Sequence, residues 1–126
     1  MDIKIVKDHI SLEELQTLAA DTFGDMVKAV VDIQTGIMAV GGSMHADCEQ
    51  VLMDEGSVQE NLWGFNIYPG KTGDDFLQYE SLINIRPHEG NRSLTIQAEE
   101  IKNQIREIVN KIITLPTPLI LRGEDK

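Results

Sequence analysis

The run VKAVVDIQTGIMAV (27–40) sets two β-branched, apolar segments on either side of Gln34-Thr35-Gly36, and no other stretch constrains the chain as strongly. Such segments favour strands, and a short connection carrying a glycine suits a tight antiparallel return. Strands are expected at about 27–33 and 37–41. Period-two patterning recurs in DIKIV (2–6), in ENLWGFNIYPG (60–70), where Trp63, Phe65 and Ile67 share one face, and in SLINIRP (81–87), where Ile83 and Ile85 do. The intervening KTGDDFLQYES is turn-rich and acidic, a candidate flap, with Phe76 and Tyr79 able to extend the next strand backwards.

Three stretches change to the helical period. SLEELQTLAADTF opens with Ser11 and Glu14 at capping-box spacing and aligns Leu12, Leu15, Ala19 and Phe23 before Gly24. SMHADCEQVLMDEG offers Ser43 as a cap, aligns Met44, Cys48, Val51 and Leu52, and stops at Gly56. IQAEEIKNQIREIVNKII is the clearest helix, with Ile101, Ile105, Ile108 and Ile112 at i, i+4, i+7 and i+11. Pro116 and Pro118 prevent its continuation. The order is β-α-ββ-α-ββ-α. Strands arriving in pairs imply an α+β domain with an antiparallel or mixed sheet of about five strands and three helices packed on one side. The whole of 1–126 reads as a single domain, with 114–126 as a proline-containing tail whose Leu119-Ile120-Leu121 patch either folds back or docks on another subunit, making a homo-oligomer.

Charge narrows the partners. Eleven basic against 21 acidic residues give a net charge of −10, which disfavours nucleic acid. No run approaches the length of a membrane span, and the acidic amino terminus is unlike a signal peptide, so a soluble cytoplasmic protein is expected, with no membrane partner. The single cysteine, Cys48, excludes an internal disulfide and a cysteine-built zinc site. Stability must come from packing.

The motifs GGSMHADCE, ENLWGFNIYP, LINIRP and GNRS, in that order, resemble a family of small prokaryotic proteins catalogued only as a domain of unknown function, over residues 3 to about 113. The resemblance implies kinship and supplies no activity, cofactor or catalytic residue. The residues therefore stand on their own chemistry.

Against an acidic background, INIRPHEGNRS (83–93) gathers two arginines, a histidine and asparagines. If the strands at 62–68 and 81–86 are neighbours, Asn66, Asn84 and Arg86 share a polar face, either the solvated side of a sheet or a ligand patch. Gly90, Asn91, Arg92 and Ser93 precede the last helix, an arrangement that serves as a turn or holds an anion. These seven residues form the expected binding set for an anionic small molecule or acidic group. His45 and His88, with Arg86, are the candidate catalytic residues of a hydrolase-like alternative. His45 and Glu49, four apart, would share a helix face with His88 as a possible third metal ligand, but the H-E-x-x-H pattern is missing and an acidic helix start accounts for Asp47 and Glu49, so no metal and no cofactor is assigned. Ser43 and Cys48 lie near His45 without a nucleophile signature, and Cys48 belongs to an apolar stripe. Trp63 and Phe65 read as core.

Overall fold

The computed structural model describes residues 3–122. The elements follow one another as β1 (Lys4–Val6), α1 (Leu12–Asp21), β2 (Val27–Asp32), β3 (Met38–Val40), α2 (His45–Asp54), β4 (Leu62–Ile67), β5 (Leu77–Gln78) and α3 (Glu99–Ile112). They build an α+β fold around a five-stranded antiparallel sheet of order β1-β3-β2-β4-β5.

Local chemistry sets the elements much as the sequence implies. Glu14 N–H donates to Ser11 Oγ (3.0 Å) at the start of α1. At the β2–β3 turn, the Asp32 carboxylate accepts from the backbone N–H groups of Gln34 and Thr35, and Gly36 adopts φ 82°, which permits the two-strand return. One expectation fails at α2: its cap position is Met44, with no side-chain hydrogen bond, so Ser43 does not cap it.

The helices do not share one side of the sheet. Each of the first two helices connects strands that flank a third, since α1 leads from β1 to β2 across β3, and α2 leads from β3 to β4 across β2. Antiparallel neighbours make β1 parallel to β2, and β3 parallel to β4, with the two pairs running in opposite directions. Both crossovers step the same way along the sheet, so right-handed connections require opposite faces for the two helices. The packing obeys that rule. Leu15 and Ala19 of α1, with Ile105, Val109 and Ile112 of α3, pack with Ala29, Val31, Met38, Phe65 and Ile67. Cys48 and Leu52 of α2 pack on Val30, Ala39 and Leu62 from the opposite face. The strand pairs suggested a single helical layer, but interlocking the two crossovers produced two.

The tail folds back. Leu119 is buried in the larger core, and its backbone N–H and C=O both pair with the Asn110 side chain, at 2.8 and 3.0 Å. One helix heptad away, Asn103 pairs the same way with the backbone of Arg122, whose guanidinium reaches Asp74 (2.5 Å). Docking on its own chain leaves Ile120 as the exposed member of the apolar patch. The tail's last residues, 123–126, lie outside the described residues. Replacing Asn110 by alanine removes two bonds to a buried backbone unit and is expected to lower stability by about 1–3 kcal/mol in urea unfolding and to speed proteolysis beyond Thr114. Unchanged unfolding and unchanged cleavage would contradict this role for Asn110.

Candidate functional site

SLINIRP does not form a strand. Residues 82–84 make a 3₁₀ turn, and the second strand of the last pair is instead the short β5. The backbone reason lies in what β4 needs. The antiparallel ladder with β2 occupies one edge of β4, and β5 pairs with the other only at Asn66 and Ile67. Leu62 and Gly64 are left with backbone groups facing an absent neighbour, and buried groups of this kind require partners.

Asn84 and Arg86 provide them. Asn84 Oδ1 accepts from Gly64 N–H and its Nδ2 donates to Gly64 C=O, both at 2.9 Å, while a second Nδ2 bond reaches Leu94 C=O (3.1 Å). The Arg86 guanidinium donates through Nη2 to Leu62 C=O, through Nη1 to Glu60 C=O (3.1 Å) and through Nε to Ile83 C=O (3.2 Å). Its Cζ lies 4.3 Å from the Trp63 ring centroid, a cation–π contact, and Glu89 Oε1 stands 3.5 Å from Nη1. Asn91 ties off the loop by donating to the carbonyls of Asn84, Ser93 and Thr95 and accepting from Gln97 N–H. Gly90, at φ 90°, allows the turn that lets Arg86 and Asn91 pair their backbones. Ser93 Oγ accepts from Thr95 N–H, and Arg92 is exposed.

Asn66, Asn84 and Arg86 are all buried and do not share a solvated sheet face. Asn84, Arg86 and Asn91 form one internal network, and Asn66 stands apart from it. His88 is exposed and shares the Glu89 carboxylate with Arg86, at 3.4 and 3.5 Å, whereas His45 bonds to the Phe65 carbonyl.

One of several open concavities lies next to this network, between the start of α2, β2, β4 and the 80–83 turn, with a volume of about 480 Å³. His45 and Asn66 line it, together with Lys28, Glu80 and Ser81. Its rim is apolar, with Met44, Leu82 and Leu94 all exposed. Gly64 lets two of the lining residues approach β4 closely: a Cβ there would fall 2.7 Å from Ser81 Cβ and 3.2 Å from His45 Cδ2. A glycine inside a central strand is the sequence signal of such close approach, and it points to this cavity more directly than the arginines did.

His45 Nε2 lies 2.9 Å from the Phe65 carbonyl oxygen. A carbonyl only accepts, so Nε2 carries the proton. Burial above all, and then the Lys28 charge, hold the imidazole below its usual pKa, against the opposing pull of the Phe65 carbonyl and the nearby Asn66 side chain. The ring is therefore neutral near pH 7, with Nδ1 a lone-pair acceptor. Asn66 donates through Nδ2 to Gln78 Oε1 (2.9 Å) and to the Glu80 carbonyl (3.4 Å), which fixes the amide's orientation, and its Oδ1 is buried without a hydrogen-bond partner. Burial raises the Cys48 thiol to about 11, so it stays protonated and unreactive. Glu49 accepts from Gln59, and among the described residues no three His, Cys, Asp or Glu side chains stand close enough to hold a metal. No helix among them is long and apolar enough to cross a membrane.

A family model described as "Protein of unknown function (DUF5674)" matches residues 4–112. No curated protein and no solved structure matches the chain.

Asn84→Ala strands both Gly64 backbone groups and should destabilise the protein by about 2–4 kcal/mol in chemical denaturation, whereas Arg92→Ala should stay within about 0.5 kcal/mol. Equal effects would contradict the edge-completing role of Asn84. Because the folded imidazole of His45 titrates below its unfolded value of 6.5, the unfolded chain binds the extra proton first and stability falls as pH drops below that value. His45→Gln should reduce that acid-side slope; an identical slope in the variant would show that His45 does not cause it.

Proposed function

We propose, for a chain that belongs to the DUF5674 family of proteins of unknown function, that it is a binding domain for a small molecule bearing an acidic group, seated in the cavity at the start of α2. The observation that carries this reading is the cluster of three exposed apolar side chains, Met44, Leu82 and Leu94, around a cavity of about 480 Å³. Support for the acidic group comes from one wall. The first backbone N–H groups of α2 carry partial positive charge with no side-chain cap, and Lys28 adds a full charge beside them. Exposed Met44, Leu82 and Leu94 offer an apolar seat, and an occupied seat explains why three large hydrophobic side chains meet solvent together. Arg86, Asn84 and Asn91 support the site by shaping the loop beneath it, and Gly90, Arg92 and Ser93 belong to the same turn.

Melting curves against carboxylates and phosphates carrying four- to eight-carbon chains test the reading. Stabilisation is expected for the chain-bearing acids, reduced several-fold in Lys28→Glu, with little response to the corresponding alcohols. No ligand-dependent shift, or equal shifts for acids and alcohols, would overturn it.

A further inference from the structure

The seat that holds the tail lies within residues 4–112, the family-matched part of the chain, and the tail lies outside it. On α3, Asn103 and Asn110 are two turns apart, about 10.5 Å along the axis, which is also about the length of three residues of extended chain. The two amides accordingly grip backbone units three positions apart. Asn110 accepts from Leu119 N–H (2.8 Å) and donates to Leu119 C=O (3.0 Å), while Asn103 accepts from Arg122 N–H (2.8 Å) and donates to Arg122 C=O. Arg106 holds Asn103 in place, donating through Nη1 to Asn103 Oδ1 and to Glu99 Oε2, both at 2.6 Å. From its occupant the seat takes two side chains: Leu119 enters the larger core, and the Arg122 guanidinium meets Asp74.

The link between α3 and this segment is loose. Among the described residues the backbone of 115–118 makes no hydrogen bond, Pro116 and Pro118 have no N–H to offer, and 116–118 are exposed. Turning the tail outward at this hinge breaks no backbone bond there, and an identical tail from another chain remakes every bond that the seat loses. We propose that the seat takes the tail of a second copy of this chain, so that two chains exchange tails and each supplies Leu119 and Arg122 to the other's Asn110, Asn103 and Asp74. The occupant is a second copy because its tail is the segment whose bonds to this seat are known. The exchange is independent of the cavity at the start of α2. Because the hinge keeps each tail near its own seat at an effective concentration on the order of millimolar, exchange competes with folding back and grows as the chain is concentrated.

Sedimentation equilibrium on the full chain and its variants tests the exchange. Deleting 115–118 leaves only Ile113 and Thr114 between α3 and Leu119, too short a return to the chain's own seat. The deleted chain should dimerise at least about tenfold more tightly than the native one, since its competitor in the same chain is removed. Leu119→Asp in the deleted chain should abolish that gain. In the undeleted chain, Asp74→Arg and Arg122→Asp each set like charges against one another, whether the tail folds back or is exchanged. An equimolar mixture of the two restores an opposite pair at both seats, and only through exchange. The mixture should therefore dimerise at least about tenfold more tightly than either variant alone. Both positions are exposed, so these variants fold as the native chain does. A mixture no more associated than its components at chain concentrations up to about 1 mM overturns the exchange, even where the deleted chain fails to fold. Equal dimerisation of the deleted chain with and without Leu119→Asp places the contact elsewhere and overturns it too.

Discussion

The structure depends on how β4 completes its outer edge. A strand between two pairing partners has its backbone satisfied automatically, but β5 is only Leu77–Gln78 and covers little of β4. Side chains replace the missing strand, with Asn84 imitating a peptide unit against Gly64 and Arg86 gathering the carbonyls of Leu62, Glu60 and Ile83. An amide suits this task because it presents one donor and one acceptor in a plane, as a backbone unit does. A guanidinium suits the other position because carbonyls alone converge there, and its charge is tempered by the Trp63 face and by Glu89. Since these side chains and not a strand close the sheet, the chain from 79 to 97 is free to turn away from β4, and that departure opens the cavity.

The interlocked crossovers complete the site. By carrying α2 over β2 to reach β4, the second crossover lays the helix start beside Asn66 and Gly64, on the face opposite α1 and α3. His45 then rests against β4 because Gly64 has no side chain to hold it off, and its bond to Phe65 selects the tautomer. The opposite face is occupied in a different way, by a tail that Asn103 and Asn110 grip through its backbone.

Much of the architecture was legible in the residues. The hairpin around Gly36, the Ser11 cap and the isoleucine stripe of α3 are local patterns whose physics is complete within a few positions. The segment 81–86 misled because alternation of Leu82, Ile83, Asn84 and Ile85 fits a strand and a 3₁₀ turn equally well over so short a length. Asn84, Arg86 and Asn91 stand out in the sequence as a ligand-binding set, but scarcity of arginine in an acidic chain indicates that a cation is needed, not whether it faces a ligand or the protein's own carbonyls. His45 is visible in the sequence as a candidate group, whereas Asn66 lines a cavity with it and not a shared face with Asn84 and Arg86, and Lys28, Glu80 and Leu94 give no local sign of lining a cavity.

By itself the sequence determined the three helices, the first hairpin and the strand at Leu62–Ile67, because hydrophobic period, capping side chains and glycine placement act between residues close in the chain. Only the tertiary structure decided which faces the helices cover, that Arg86 looks inward, and that His45 and Asn66 share a cavity. Those outcomes follow from crossover handedness and from unpaired backbone groups on β4, which depend on residues some twenty positions apart meeting in space, a relation that no local pattern encodes.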